Sequence, residues 1–179
     1  MAGVIDHLLG HQVPFLVLPA PHALAPIEVA RAHGMDTADL VWTEVVTTAS
    51  GPVGVVTGTG RVLDLELARA AVHDAKARLA SHEEVRAFAR GCEAGAVPPL
   101  SRYLAAPVIV DEPVAQMTQI VFPAGRTGVL VCAARADLFA AEPVRVAALS
   151  RATDALGFIA PSRRLAFTGP APVSYHLRG

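Results

Sequence analysis

The amino-acid sequence predicts an α+β domain, and the order of its strand-like and helical segments is the main reason. Two β-branched runs, Leu40–Thr48 and Val53–Thr57, flank a Ser-Gly-Pro turn at residues 50–52, which predicts an antiparallel hairpin. A second strand pair follows later in the chain, and helical segments lie between the pairs. Short antiparallel pairs interleaved with helices favour an α+β domain over a doubly wound parallel sheet.

The N-terminal part of the chain contains further predicted elements. Apolar spacing predicts a helix over Val4–His11, and a compact apolar run predicts a strand over Phe15–Leu18. A second helix is predicted from Pro26 to His33, because proline is tolerated in the first turn of a helix and the glycine that follows ends it. A longer helix is predicted over Asp64–Arg78.

The central part combines a capped helix with an irregular loop. Ser81 and Glu84 have the spacing of a capping box, which predicts a helix over His82–Arg90. Two glycines and two prolines then interrupt the periodicity over Gly91–Leu100, so this segment is predicted to be a loop. A strand follows over Pro107–Val110.

The C-terminal part begins with the second strand pair, Thr118–Phe122 and Thr127–Cys132, around a turn at residues 123–126. Asp137–Gly157 is predicted to be mostly helical, with an interruption near Pro143. We therefore predict a domain over residues 1–142, with a C-terminal helix and tail over residues 143–179 packed on the same domain.

Composition and charge exclude several classes of protein. No apolar run approaches the roughly 20 residues that a membrane-spanning helix needs, and the N-terminus does not resemble a signal peptide, so we expect a cytoplasmic protein. The 15 basic and 16 acidic residues leave a net charge of −1, so any contact with RNA must be local. Cys92 and Cys132 lie too far apart for a metal motif, and we expect no metal and no cofactor.

The loop after the capped helix is the most informative segment. Gly95 allows a ligand to approach the main chain closely, and Pro98 three residues later restricts the shape of the loop. Taken alone, a glycine and a proline at this spacing would indicate only a connection between a helix and a strand. The surrounding segments carry more weight: Leu79-Ala80-Ser81 with Glu84 before the loop, Val110-Asp111 after it, and Ala124-Gly125 in the next turn.

These segments, in this order, resemble the YbaK/prolyl-tRNA-synthetase-associated family over roughly residues 12–140. The resemblance implies a curled, mostly antiparallel mixed sheet that closes towards a pseudo-barrel surrounded by helices. It also implies an aminoacyl-tRNA deacylase, which hydrolyses the ester between an amino acid and the 3′ end of tRNA. The implied partner is the aminoacylated 3′ end of tRNA, with neither DNA nor a membrane as a partner.

The resemblance also implies which residues form the site. Gly95 and Pro98 would belong to the loop that positions the substrate, and Ala96, Val97 and Gly125 would contact the aminoacyl group. Backbone donors in such a loop can stabilise the charge that develops on the ester carbonyl oxygen.

One position departs from the family pattern. The family carries a catalytic lysine in the strand before the hairpin turn, and Trp42 stands at the matching position. Tryptophan has one N–H donor and no charge, so it cannot replace a cation, although it could stack on a base. Trp42 is therefore either a half-buried strand residue or a residue that reshapes the substrate pocket.

Three further polar residues are candidates for substrate binding. His22, in the loop after the first strand, could act as a general base or could simply anchor its loop. Thr43 could bind ribose or water. Asp111 could contact substrate, or it could cap the element that begins at the next residue.

The sequence leaves three functional interpretations open. The first is a deacylase that edits tRNA mischarged with a small amino acid. The second is a family member that keeps the pocket but only binds an aminoacyl-RNA end or a small ligand. The third is a protein-interaction module that uses the arginine-rich tail. The sequence does not determine the oligomeric state.

Overall fold

A computed structural model describes residues 2–20, 24–89, 91–93, 95–153 and 171–175 of the chain. Seven α-helices and eleven strands are present within these residues. The helices are α1 (Ala2–Gly10), α2 (Pro26–Ala32), α3 (Leu65–Val72), α4 (His82–Phe88), α5 (Ser101–Leu104), α6 (Glu112–Ala115) and α7 (Arg135–Ala141). The strands are β1 (Phe15–Pro19), β2 (Val41–Thr48), β3 (Gly51–Gly58), β4 (Arg61–Leu63), β5 (Arg78–Leu79), β6 (Val108–Asp111), β7 (Gln119–Pro123), β8 (Val129–Ala134), β9 (Arg145–Ala147), β10 (Ser150–Ala152) and β11 (Val173–Tyr175).

The strands form two main sheets and one small one. The first sheet has the order β11-β1-β8-β7 and is antiparallel throughout. The second has the order β5-β2-β3-β6-β9, and its β3–β6 and β6–β9 pairs are parallel. Strands β4 and β10 form the small antiparallel sheet. This arrangement confirms the predicted α+β class with mixed sheets.

One bridge connects the two main sheets. Leu40, just before β2, pairs in parallel with Val121 of β7. Neither main sheet closes on itself within the described residues, so the pseudo-barrel implied by the resemblance stays a prediction.

Both strand pairs predicted from the sequence are present. In the β2–β3 hairpin the register runs from Val41 opposite Gly58 to Thr48 opposite Gly51. Gly51 has a φ of 119°, which a residue with a side chain rarely adopts, so the turn requires glycine here. The β7–β8 pair is likewise formed as predicted.

The interior contains three apolar clusters. The largest lies between the two main sheets and includes Val41, Val56, Phe122 and Val131. The second lies between the first sheet and α2, and the third lies between the second sheet and α3. Since side chains alternate along a strand, odd-numbered residues of β2 face the largest cluster and even-numbered ones face the opposite side.

The helix predicted over Asp64–Arg78 is too long. In the structure α3 ends at Val72, and His73 caps it in the left-handed conformation with a φ of 55°. The chain then turns at Asp74, whose side chain accepts hydrogen bonds from the N–H groups of Ala49 and Lys76. Strand β5 begins at Arg78, the last residue of the predicted helix, and its pairing with β2 satisfies backbone groups there.

The helix predicted over Asp137–Gly157 is also wrong for most of its length. Helix α7 ends at Ala141, two residues before Pro143, which cannot donate a backbone hydrogen bond. The following residues form β9 and β10, which pair with β6 and β4. Apolar content did not distinguish a buried helix from these short strands. Residues 154–157 lie outside the described residues.

The segments beyond residue 142 contribute to the same sheets as the rest of the chain. Strands β9, β10 and β11 pair with β6, β4 and β1, respectively. The boundary after residue 142 stays a prediction. None of the helices in the described part of the chain has the length and apolar character that crossing a membrane requires.

Candidate active site

Hydrogen bonds connect the loop between α4 and α5 to the turn between β7 and β8. The Gly125 N–H donates to the Ala96 carbonyl at 2.9 Å, and the Glu93 N–H donates to the Gly125 carbonyl at 2.9 Å. The Glu93 carboxylate also accepts from the N–H of Thr127 at 2.8 Å and from its hydroxyl at 2.7 Å. The structure thus brings together the loop and the turn that the sequence predicted as parts of one site.

The conformation of Gly95 explains why this loop needs a glycine. Its φ is 76°, in the left-handed region, and an added Cβ would meet no other atom within 4 Å. The backbone angle therefore requires glycine, while the space beside it stays open to a ligand. Pro98 and Pro99, which follow in the same loop, are buried.

Two backbone donors of the loop are uncommitted. The N–H groups of Gly95 and Val97 make no hydrogen bond with any described residue, whereas the N–H of Ala96, between them, donates to the Glu93 carbonyl at 3.0 Å. Pro98, the next residue, has no N–H. The loop therefore contains two backbone donors, separated by Ala96, that no described residue occupies; Gly95 is exposed and lines the cavity described next, whereas Val97 is buried.

A cavity of about 30 Å³ lies beside this loop. That volume is enough for one water molecule or a group of similar size. Most of its wall is apolar, with Arg126 and Thr127 as the polar side chains. The cavity is lined by Leu24, Pro26, Val29, Gly95, Ala96, Pro123, Arg126, Thr127, Gly128 and Leu130.

Arg126 lines the cavity and is a candidate site residue that was not predicted from the sequence. It is exposed at the cavity, and its guanidinium makes no hydrogen bond or ion pair with any described residue. Arg126 directly follows Gly125 in the predicted turn, and this position is the sequence feature from which it could have been identified as a candidate. A cation here could contact a phosphate.

Trp42 lies on the same side of β2 as the second apolar cluster. It pairs with Thr57 of β3 and is half-buried. Leu40, two residues earlier and on the same side of the chain, packs in a cluster with Val29 and Leu130, both of which line the cavity. Trp42 is therefore on the cavity's side of the sheet, although it does not line the cavity itself.

Thr43 faces the opposite side of β2 and is separated from the cavity by the sheet. It lies on the side of Val41 and Val45, which belong to the largest cluster. Its hydroxyl is buried and has no hydrogen-bond partner among the described residues.

Asp111 is buried at the end of β6, where it connects three strands. Its carboxylate accepts from the Leu149 N–H at 2.8 Å, from the Ser150 hydroxyl, and from Arg61 Nε at 3.2 Å. Asp111 precedes α6, but its side chain makes no capping hydrogen bond to that helix. It does not line the cavity. His22 lies outside the described residues.

The two thiols do not have the properties of nucleophiles. Burial raises the pKa of Cys92 above its ordinary value of 9.0, and burial raises the pKa of Cys132 to about 11. Both are therefore protonated near neutral pH. Among the described residues, no group of three or more His, Cys, Asp and Glu side chains is arranged to hold a metal ion.

A larger cavity, of about 630 Å³, lies elsewhere in the molecule. It is bordered by the β2–β3 turn, the end of α3 and the starts of β6 and β9, and includes His73, Asp74 and Arg145. None of the residues predicted from the sequence as site residues lines it.

A family model described as an aminoacyl-tRNA editing domain matches residues 20–141. Among solved structures, a candidate trans-editing enzyme for prolyl tRNA synthetase is 26% identical, with a TM-score of 0.71 over 84% of this chain and 94% of that chain. A computationally designed epitope scaffold is 24% identical (TM-score 0.72, 84% and 94% covered), and a hypothetical protein is 21% identical (TM-score 0.72, 83% and 99% covered). The last two support the fold alone. No curated protein matches this chain.

Proposed function

Because the chain belongs to the aminoacyl-tRNA editing domain family, as its motifs predicted, we propose that it is an aminoacyl-tRNA deacylase acting on tRNA mischarged with a small amino acid. The observation that carries the proposal is the loop at Gly95–Val97, where Gly95 lines a small cavity and the N–H groups of Gly95 and Val97 make no hydrogen bond with a described residue. Its similarity to a candidate trans-editing enzyme supports hydrolysis in trans.

The size of the cavity supports a small amino acid. Its volume of about 30 Å³ is suitable for a methyl-sized side chain, and its wall is mostly apolar. Steric exclusion by such a wall discriminates by about 10- to 200-fold for each additional methylene group. Alanine is therefore the side chain that this pocket favours.

The reaction needs few ionisable side chains. Water adds to the ester carbonyl carbon, and the resulting oxyanion accepts hydrogen bonds from the N–H groups of Gly95 and Val97. The bond from that carbon to the terminal ribose oxygen then breaks. The ribose oxygen takes up the proton released by water through the neighbouring ribose hydroxyl, and the products are the free amino acid and uncharged tRNA.

Arg126 supports binding of the RNA end. The chain as a whole has a net charge of −1, so a broad electrostatic attraction to RNA is not expected. A single exposed guanidinium at the cavity provides a local contact for the terminal phosphate instead. We expect Arg126→Gln to weaken tRNA binding with little effect on a short aminoacyl-adenosine substrate.

The test is single-turnover hydrolysis of alanyl-, cysteinyl-, seryl-, threonyl- and prolyl-tRNA by the purified protein. We expect hydrolysis of alanyl-tRNA well above the spontaneous rate. Gly95→Ala should reduce it by about tenfold or more, because the left-handed φ of 76° disfavours a side chain and moves the donors.

Gly91→Ala is the matched control for that variant. Gly91 has a φ of 73° and is also exposed, and an added Cβ there would meet no atom within 4 Å. Both variants therefore carry the same backbone penalty. If the two reduce hydrolysis equally, the N–H groups beside Gly95 have no specific role.

A second candidate function is binding without hydrolysis. Trp42 stands at the position of the family lysine, which favours this alternative. In that case none of the five tRNAs would be hydrolysed above the spontaneous rate, yet an aminoacyl-adenosine analogue would still bind. Trp42→Lys would then be the variant with which to attempt restoring activity.

A further inference from the structure

Trp42 and Glu44 are two neighbouring side chains on one face of β2. They are two residues apart along the strand, and both are half-buried. None of the three apolar clusters formed by the described residues includes Trp42. Glu44 makes no hydrogen bond or ion pair with any described residue, and burial raises the pKa of its carboxyl group above the ordinary value of 4.5. Among the described residues, therefore, neither an apolar cluster nor a salt bridge accounts for this pair.

The strand register relates this pair to the cavity. Leu40 and Val121 form an isolated parallel bridge, which places the start of β2 beside β7; Trp42 follows Leu40 by two residues, and Pro123, which lines the cavity, follows Val121 by two residues. Leu40 and Val121 belong to the same apolar cluster, so these side chains lie on one side of the connected sheets. Trp42 thus lies near the end of β2 that is beside β7, and Glu44 lies two residues further along β2.

The chemistry of the two side chains indicates a positively charged ligand group. A partly desolvated carboxylate without a partner is unfavourable, and binding a cation removes that penalty. The face of a tryptophan ring attracts an ammonium group within about 6 Å of its centroid. Side chains at i and i+2 on a strand stand roughly 7 Å apart, so one ammonium group between them can contact both.

An aminoacyl ester carries such a cation. Its α-ammonium group is bonded to the carbon next to the ester carbonyl, so it must lie close to the group that reacts. An amino acid whose side chain occupies the small cavity would direct its ammonium group away from the apolar wall.

We propose that Trp42 and Glu44 bind the α-ammonium group of the aminoacyl moiety and so restrict the site to substrates with a free amine. This inference rests on the proposed deacylase site, and it adds a specificity that the loop and the cavity do not provide. Trp42 interacts through its ring face and Glu44 through its charge, so the two contributions can be separated by substitution.

The experiment compares an ammonium ligand with its neutral counterpart. Binding of non-hydrolysable 3′-alanylamino-3′-deoxyadenosine and of its N-acetyl derivative is measured by calorimetry, and hydrolysis of alanyl-tRNA and N-acetyl-alanyl-tRNA is measured in parallel. We expect the unmodified protein to prefer the free amine by about tenfold or more in both measurements, as a charge-assisted contact implies.

The variants assign that preference to the two residues. Glu44→Gln should abolish most of the preference by weakening only the free-amine ligand, and Trp42→Leu should reduce it several-fold. Glu112→Gln, a change at an exposed carboxylate in α6, is the control and should leave the preference unchanged. Thermal unfolding of each variant verifies that the fold is retained.

The outcomes distinguish this inference from the proposed function. Equal binding of the two adenosine analogues, or a preference that survives Glu44→Gln, overturns the ammonium site even if alanyl-tRNA is hydrolysed. Absence of hydrolysis together with an amine preference that Glu44→Gln removes would overturn the deacylase proposal and support the ammonium site.

Discussion

The Glu93 carboxylate accepts hydrogen bonds from both the N–H and the hydroxyl of Thr127, at 2.8 and 2.7 Å. These two residues connect the loop that contains Gly95 to the β7–β8 turn, so we expect the relative position of Gly95 and Arg126 to depend on them. The contact lies at the surface, which limits its effect on global stability but not its effect on the shape of the loop.

Thr127→Val removes the hydroxyl while keeping the backbone donor. We expect about a 3- to 10-fold loss of hydrolysis and a change in unfolding free energy of no more than about 1 kcal/mol, the usual scale of one hydrogen bond. Glu93→Ala should cause a larger loss of hydrolysis than Thr127→Val. Adding Thr127→Val to Glu93→Ala should reduce hydrolysis little further, because both substitutions remove the same contact. Thr118→Val, at an exposed threonine outside the site, is the control. Fully additive losses would contradict this coupling.

Gly54 is required by packing rather than by backbone angle. A Cβ at this position would lie 2.5 Å from Leu104 Cδ1, which is buried in the main cluster. We expect Gly54→Ala to destabilise the protein by about 1–3 kcal/mol, the usual penalty of overpacking. Urea denaturation of the variant and the unmodified protein measures this loss of unfolding free energy. Gly10→Ala, where a Cβ meets nothing within 4 Å in the last turn of α1, should be neutral or slightly stabilising; similar losses at both positions would refute the packing argument.

Glu142 and His7 form a buried pair between the end of α7 and α1. His7 Nε2 lies 2.5 Å from one carboxylate oxygen, and the other oxygen accepts from the Ser101 N–H at 3.2 Å and its hydroxyl at 2.8 Å. Glu142→Ala should destabilise the protein by about 3–5 kcal/mol, because it leaves several buried polar groups without a partner.

The matched control for Glu142→Ala is Glu112→Ala, a substitution at an exposed carboxylate, which should change the unfolding free energy by less than about 0.5 kcal/mol. Guanidinium denaturation of both variants provides the comparison. A loss below about 1 kcal/mol for Glu142→Ala would mean that the buried network contributes little to stability.

Glu84 makes a specific contribution to acid stability. Hydrogen bonds from Arg78 lower the pKa of Glu84 from 4.5 to about 2, with a further contribution from the Ser81 N–H. The folded pKa is therefore below the unfolded one, so the stabilisation is present above pH 4.5 and is lost as the pH falls from 4.5 towards 2.

Glu84→Gln should accordingly flatten the stability profile over that pH range. The direct measurement is an NMR titration of the Glu84 carboxyl carbon. A midpoint near 4.5 would mean that the contact with Arg78 does not persist in solution.

Local sequence signals predicted much of the fold. The Ser81–Glu84 capping box is formed, with Ser81 Oγ accepting from the Glu84 N–H and the Glu84 side chain accepting from the Ser81 N–H. The β2–β3 hairpin was predicted from turn residues and β-branched runs, and both signals act over a few neighbouring residues. The errors occurred where a distant strand supplied hydrogen bonds, as at Arg78–Leu79 and Arg145–Ala147.

Some residues of the candidate site were likewise predicted from local motifs, and others were not. Gly95, Ala96 and Gly125 were predicted from motifs, and their backbone groups are in contact in the structure or border the cavity. Arg126 was missed because its position in the predicted turn, directly after Gly125, does not reveal that its side chain lines a cavity. Glu44 was missed because a lone carboxylate in a strand has no sequence signature until its neighbours are known.

The sequence by itself determined the α+β class, the family and the loop and turn that form the candidate site, since turn chemistry, strand alternation and motif order are properties of the linear chain. Only the tertiary structure decided which face of β2 carries Trp42 and Glu44, how small the cavity is, and how the carboxylate of Asp111 is used. These depend on burial and on hydrogen bonds between residues far apart in the chain, which exist only once the sheets have assembled.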